Sequence, residues 1–367
     1  MSKVPVLAIE DLRTYFYSRS KRAFIRSVDG ISLEIEKGEM LGIVGESGSG
    51  KSITAMSVMG LVSAKPGVIT GKIGFKTENI QKNLLPDLKN YVKVSRNSGK
   101  IMEVYKDNNG WLTQIDRIMH KIRGREISMI FQNPKISMNP FITIGKQITE
   151  SIRLNTDINN RHEAKERALH WLERVKIDSP GLRYNNNPYG LSGGMCQRAM
   201  IAMALSSEPA FLIADEPTTG LDATIQSKIV DLLAELKSTI RVTTMLISHD
   251  INVIRELSDK VAVMYGGTVL EHGPARDVLS PDHLRKHPYT KALLASIPSE
   301  EHIRKRDYLQ AIEGDVLDTI NIPPGCRFYE RCRMVTDEIR EICKHTEPDL
   351  ENISSAHKIR CWLYNKS

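Results

Sequence analysis

No uninterrupted apolar run approaches the ~20 residues that a membrane-spanning helix needs; the richest stretches are short, such as Ile201 to Leu205. The chain is therefore not expected to cross a bilayer by itself. The opening, MSKVPVLAIEDL, has an apolar run too short for a signal-peptide core and meets acidic residues at once, which predicts a cytoplasmic protein. No Lys/Arg block is long enough for a nucleic-acid arm. The net charge of +7 suits nucleotide phosphates, anionic headgroups or nucleic acid about equally, and is also what an ordinary basic surface would show. Internal repeats and low-complexity tracts are missing. Cysteine is scarce: only Cys196 precedes residue 326, while Cys326, Cys332, Cys343 and Cys361 crowd together and suggest one local site. What is present, 41% hydrophobic and 26% charged residues, excludes a wholly disordered or collagen-like chain. The 367 residues suffice for about two or three cores of ordinary size.

A strand-like run from Glu39 to Gly45 enters a Gly/Ser-rich turn and then a helical stretch from Lys51 to Val62. Ile127 to Gln132, Phe211 to Glu216 and Thr244 to Ser248 read as further buried strands. Helical stripes run over Glu163 to Val175 and Ala223 to Leu236. Alternating strands and helices predict an α/β core, a mostly parallel sheet covered on both faces. From Thr77 to about Asp116 the composition turns polar, with turn signals at Arg96-Asn97-Ser98-Gly99 and Asp107-Asn108-Asn109-Gly110, and reads as an inserted hairpin or loop outside the main sheet. Beyond Gly273, Pro274, Pro281, Pro288 and the turn Pro323-Pro324-Gly325 mark a separate C-terminal module.

Gly45-Glu46-Ser47-Gly48-Ser49-Gly50-Lys51-Ser52 is a G-x-x-x-x-G-K-S string between strand and helix. Glycines let successive N–H groups curl around phosphates, and the following helix adds its positive dipole end. Lys51 would reach the β- and γ-phosphates and the Ser52 hydroxyl would ligate Mg²⁺. Asp215 and Glu216 end an apolar strand. A terminal carboxylate pair is by itself more often a solvated strand end, but beside a phosphate loop it points to Mg²⁺ for Asp215 and to the attacking water for Glu216. A second glycine string, Leu191-Ser192-Gly193-Gly194-Met195-Cys196-Gln197-Arg198, offers another anion-binding helix start. One nucleotide needs one phosphate loop, so the spare site makes sense for a nucleotide held by another subunit.

At this point the sequence resembles the ATP-binding cassette (ABC) family, whose signature is LSGGQ-like. The resemblance covers roughly residues 5 to 275 and implies a P-loop NTPase fold, a RecA-like core plus a helical subdomain at about 133–205, within an ATP-binding domain of residues 1–273. By that resemblance Gln132 is similar to the glutamine that senses the γ-phosphate and Mg²⁺, Gly220-Leu221-Asp222 to the D-loop, and His249 to the switch histidine; Phe16, with Tyr15 and Tyr17 as rivals, would stack on adenine. Taken alone, His249 is a strand-end histidine and the aromatics are core; order and spacing favour the family roles. With Glu216 and His249 both present, an active ATPase is expected.

MIFQNPKISMNP, LSGGMCQRAMIAMAL, DEPTTGLDATIQ, HPYTKALLASIP and PPGCRFYERC together resemble the ATPase subunits of dipeptide and oligopeptide importers. Related branches move oligosaccharides or nickel. The resemblance implies a second ABC ATPase subunit, identical or paralogous, in a head-to-tail dimer, two transmembrane permease subunits, an extracytoplasmic solute-binding protein, and a peripheral place on the cytoplasmic face of the membrane. The rival class, a soluble ABC protein working on nucleic acid or ribosomes, usually has two cassettes or a long coiled coil, and neither is visible. A second rival binds ATP without turnover. Two departures stand out: the long polar stretch 77–116, read as a tolerated surface insertion, and Cys196, at a position often basic in relatives, read as packing.

The four late cysteines lie in the extension 274–367, with five, ten and seventeen residues between successive members. The C-x2-C knuckle common in structural zinc sites is missing, and reducing conditions weigh against disulfides. Some members of the importer branch carry an iron–sulfur cluster here. The resemblance therefore implies a [4Fe-4S] cluster on Cys326, Cys332, Cys343 and Cys361, with zinc, for which His345 and His357 are alternates, or free thiols as the other readings. Stapling a small module is its expected role.

Overall fold

The computed structural model describes residues 4–78, 80–97, 100–280, 285–297 and 312–364. Ser98, Gly99, Pro281 and Pro298, which belong to expected turns and motifs, lie outside the described residues. The elements, in order, are β1 (Leu7–Ser18), β2 (Ala23–Ile35), β3 (Met40–Val44), α1 (Lys51–Val58), β4 (Pro66–Lys76), β5 (Gln81–Asn83), β6 (Val92–Asn97), β7 (Lys100–Lys106), α2 (Asn108–Met119), β8 (Ile127–Ile130) and α3 (Pro134–Ser137). There follow α4 (Ile144–Asn155), α5 (Arg161–Arg174), α6 (Pro180–Arg183), α7 (Gly193–Leu205), β9 (Phe211–Asp215), α8 (Ala223–Ile240), β10 (Thr243–Ile247), α9 (Ile251–Leu257) and β11 (Lys260–Tyr265). The chain then forms β12 (Thr268–Pro274), α10 (Ala275–Val278), α11 (Pro288–Ala295), α12 (Asp337–His345), β13 (Glu351–Asn352) and β14 (Lys358–Ile359).

Eight strands form the main sheet in the order β13-β14-β12-β11-β3-β10-β9-β8. The five from β11 to β8 are parallel, as the alternation of strands and helices predicts. Their side chains alternate between two cores. Leu212, Ala214 and Leu246 pack with helices α4, α5, α7, α8 and α9 on one face. Ile213, Met245 and Ile247 pack on the other face, against α1, α2 and a separate antiparallel sheet of order β2-β1-β4-β5. That second sheet was not legible as such, because β1 and β2 carry bulged registers that blur the two-residue period. Buried strands need both faces covered, and here the covers are unlike: helices on one side, mostly sheet on the other.

The polar stretch 77–116 lies outside the eight-stranded sheet. β5 lengthens the antiparallel sheet and β6 with β7 makes a ribbon of its own. Its last part is not mere surface, since α2 buries Trp111, Ile115 and Met119 in the second core. α1 stops at Val58 rather than at Val62, because the chain turns at Gly60, with φ 62°.

The C-terminal segment packs directly on the main sheet: β14 pairs antiparallel with β12, placing Ile359 opposite Glu271, and thereby covers the outer edge of that strand. Cys326, Phe328 and Tyr289 belong to the same core as the parallel sheet. Arg327, buried, donates to the Asp29 carboxylate at 2.9 Å and to the Gly266 carbonyl at 2.6 Å, tying the extension to β2 and to the β11–β12 turn. Asp29 also accepts from Tyr15 at 2.5 Å and pairs with Arg13, so its buried charge is compensated from three sides.

Candidate active site

The phosphate loop joins β3 to α1. Gly45 has φ 156° and Gly50 φ 102°, and a Cβ on either would come within 2.1 Å of a carbonyl oxygen, that of Met264 or of Ser27. Only glycine lets the loop lie this close to its neighbours. The Lys51 ammonium turns into the loop, donating to the carbonyls of Gly45 at 2.7 Å and Glu46 at 2.9 Å, and to Ser49 Oγ at 3.5 Å. Burial lowers its pKa, opposed by the charges of Glu216, Asp215 and Glu46.

The Ser52 hydroxyl donates to Asp215 Oδ1 at 2.9 Å. A hydroxyl from the start of α1 and a carboxylate from the end of β9 are thus already together. These hard oxygen donors are the kind that suit Mg²⁺. Burial pushes Asp215 up to about 6, Glu216 adding to the shift while Ser52 and Lys51 oppose it. A carboxylate raised on folding costs stability when ionised; the cost is present above about 6 and fades toward the unfolded value of 3.8. Asp215→Asn is therefore expected to raise the thermal midpoint of the nucleotide-free chain by a few degrees near pH 8, the gap closing as the pH falls through 6. Melting curves over that range check it; a gap independent of pH would remove the Asp215 charge as the cause.

Glu216 is the point of convergence. Its Oε2 accepts from Gln132 Nε2 at 2.8 Å and from Thr219 Oγ1 at 2.9 Å, and His249 Nδ1 lies 3.4 Å away. Gln132 follows β8, Glu216 follows β9 and His249 follows β10, so three adjacent parallel strands deliver the three side chains to one edge of the sheet. Glu216 takes this position with φ 48°, a left-handed conformation that costs a non-glycine residue of order 1–2 kcal/mol. Its N–H is held by the Ile247 carbonyl at 2.8 Å.

Ser192 caps α7, accepting the Met195 N–H at 3.3 Å, and is exposed. Asp222 caps α8, accepting from Ile225 at 3.0 Å. Gly193 faces Leu221 across a would-be Cβ contact of 3.5 Å, so the signature string and the Gly220-Leu221-Asp222 loop touch each other. Of the aromatic candidates, Tyr15 is buried with its hydroxyl on Asp29 and is out of reach of a base. Phe16 is half-buried, and Tyr17 is exposed and packs edge-on against Phe24.

The four late cysteines line one pocket, together with His287 and Phe328. Burial pushes Cys326 and Cys361 up to about 12, the neighbouring cysteines adding to it. Four thiols facing one pocket supply donors of the right chemistry for iron–sulfur or zinc. In this arrangement, however, no three His, Cys, Asp or Glu among the described residues are grouped as a ligand set. The zinc alternates fall away: His357 is buried against Glu271, its Nε2 2.7 Å from the carboxylate, and His345 is exposed beside Glu341. Cys196 is fully buried, its thiol donating to the Pro188 carbonyl.

Sequence reasoning missed Thr219, which lies inside the DEPTTGLD string but differs from no ordinary turn residue until its contact with Glu216 is seen. It also missed Tyr289 and Arg331, which reach Glu46 from 243 and 285 residues away.

Residues 28–219 match the family model described as ABC transporter, and residues 270–338 the model described as oligopeptide/dipeptide transporter, C-terminal region. The chain is 40% identical over 363 residues to the oligopeptide transport ATP-binding protein AppD of Bacillus subtilis (strain 168), which spans 98% of this chain and 97% of that one. It is 36% identical to the dipeptide transport ATP-binding protein DppD of Escherichia coli (strain K12), over 97% and 96% of the two chains. A solved dimeric ATP-binding cassette, in a post-hydrolysis state bound to ADP and Pi, is similar at TM-score 0.57 and 25% identity, over 74% of this chain and 99% of that one.

Proposed function

The chain belongs to the ABC transporter family as an ATP-binding subunit, and on that premise we propose that it powers the import of di- and oligopeptides. The observation that carries the hydrolytic part is the convergence of Gln132, Thr219 and His249 on the Glu216 carboxylate beside Lys51, Ser52 and Asp215. The loop glycines and Lys51 would hold the triphosphate, Lys51 exchanging its loop carbonyls for phosphate oxygens. Ser52, Asp215 and Gln132 would hold Mg²⁺, which offsets charge on the β- and γ-phosphates. Glu216 would take the proton of the attacking water; Gln132 and Thr219 fix its carboxylate, and His249 sits where it can meet the γ-phosphate. Phe16 is the candidate for stacking on adenine.

Partners follow from what the site leaves open. Exposed Ser192 and half-buried Gly193 open the 13-residue α7, with Gly194 buried behind them, and the N–H groups of this helix start suit the γ-phosphate bound by a second cassette facing head to tail, with Asp222 at the same face. ATP then joins two cassettes and its hydrolysis releases them. No helix among the described residues is long and apolar enough to cross a membrane; on this reading the passage for the peptide belongs to separate permease subunits. Phe141, 90% exposed, and Ile136, 79% exposed, follow Gln132 closely and suit docking of such a subunit at the cytoplasmic face of the membrane. A solute-binding protein outside would deliver the peptide. Peptide as solute is supported by the relatives' names and by the match over residues 270–338. Uptake of labelled di- and oligopeptides by vesicles carrying the whole transporter tests it. Uptake of nickel or an oligosaccharide with no peptide transport would replace the solute, and copurification with nucleic acid or ribosomes instead of membrane proteins would replace the class.

The shared pocket of Cys326, Cys332, Cys343 and Cys361 supports a [4Fe-4S] cluster, with zinc second, as a staple for the extension. Anaerobically purified protein is expected to be brown, with about four iron per chain and acid-labile sulfide. Colourless protein with one zinc per chain would decide for zinc.

A further inference from the structure

We infer that Arg331, from the C-terminal extension, positions the phosphate loop and neutralises Glu46 for nucleotide binding. Glu46 is the second residue of the loop, and its carbonyl already accepts from Lys51 at 2.9 Å. Its carboxylate receives a two-pronged donation from Arg331, Nη1 to Oε2 at 2.7 Å and Nη2 to Oε1 at 3.0 Å. Its own N–H donates to the Tyr289 hydroxyl at 2.9 Å. Side chain and main chain of one loop residue are thus held by the extension. The two holders are themselves fixed: Tyr289 is fully buried, and its ring packs on Tyr265 at 4.7 Å and on Phe328 at 5.3 Å. The Arg331 side chain is 5% exposed and spends its remaining donors on the Glu313 and Ile312 carbonyls and the Tyr265 hydroxyl.

A planar fork on a carboxylate fixes orientation as well as charge. The charge matters here because the loop must receive an anion. A bare Glu46 carboxylate beside the triphosphate would repel it. Arg331 also lies between Cys326 and Cys332, so the wall of the cysteine pocket and the wall of the phosphate loop are one stretch of chain. The extension, on this account, is part of the nucleotide site.

The inference rests on ATP occupying the loop, and the test separates the two. In the whole transporter, Arg331→Ala is expected to raise the KM for ATP about tenfold with kcat within about twofold, and the Kd of the full chain for Mg-ATP should rise in step. Arg331→Lys should fall between, having charge without the fork. Adding Glu46→Gln to Arg331→Ala should recover most of the loss, to within about threefold of wild type, because the repelling carboxylate is gone. A purely structural arginine would not be rescued that way. An unchanged KM in Arg331→Ala, or a double variant as weak as the single one, overturns the inference. Should Arg331→Ala fail to fold, Glu46→Gln alone decides: KM at or below the wild-type value supports the neutralising role, and a tenfold rise overturns it. Wild-type chain without Mg-ATP binding would overturn the ATP site itself.

Discussion

Glu216→Gln is expected to reduce ATP hydrolysis by ~10²-fold or more while leaving Mg-ATP bound. The amide keeps the size of the side chain and an oxygen that can still accept from Gln132 and Thr219, now at 2.8 and 2.9 Å. It keeps the backbone conformation too, since Gln tolerates φ 48° as well as Glu does. What it loses is the ability to take a proton. The expected signature is therefore a fall in kcat with little change in nucleotide affinity, and an accumulation of the ATP-joined pair of cassettes. Phosphate release from the assembled transporter, with nucleotide binding in parallel, measures both; an isolated subunit lacks its partner and is a poor substrate for the test. Activity within about threefold of wild type would remove Glu216 as the base and favour an ATP-holding module without turnover.

Ser192→Asp should give a comparable loss of hydrolysis by a different route, on the order of 10²-fold, with ATP binding by the single chain intact. Asp is as good a helix N-cap as Ser and favours the positive end of α7, so the chain should be at least as stable as wild type. The new carboxylate would nonetheless face the partner's γ-phosphate, where an anion is repelled. Combining it with Glu216→Gln should abolish the trapped pair, as read by size-exclusion chromatography with light scattering in Mg-ATP. A trapped pair that survives Ser192→Asp would sink the head-to-tail arrangement, whatever the activity.

The parts of the site that sequence made legible are those held together by adjacent residues. Gly45 to Ser52 is read from spacing, since its glycines and lysine act through one turn of chain. Asp215-Glu216 and His249 are recognisable at the ends of apolar strands, because a buried parallel strand tolerates charge only there. Resemblance placed Gln132 and His249 at the γ-phosphate; that both also reach the Glu216 carboxylate follows from the sheet order. What stayed illegible acts across distance. Thr219 looks like any turn threonine, and the fork of Arg331 on Glu46 joins residues 285 apart. The prolines of the extension mark breaks in regular structure but say nothing about what a segment packs on, so the pairing of β14 with β12 was not legible. His357, a zinc alternate in the sequence, turns its side chain to Glu271 on β12. The four cysteines clustered in sequence also line one pocket.

The pairing of β14 with β12 has a bearing on how copies of this chain are made. While the ribosome is still translating the extension, β12 stands with one row of backbone amides and carbonyls unclaimed, and Asp29 has yet to meet Arg327. An interrupted copy stays in that state permanently. Its open strand invites pairing with other chains, the usual beginning of aggregation and of capture by chaperones or proteases. Only a copy translated past Ile359 conceals that edge.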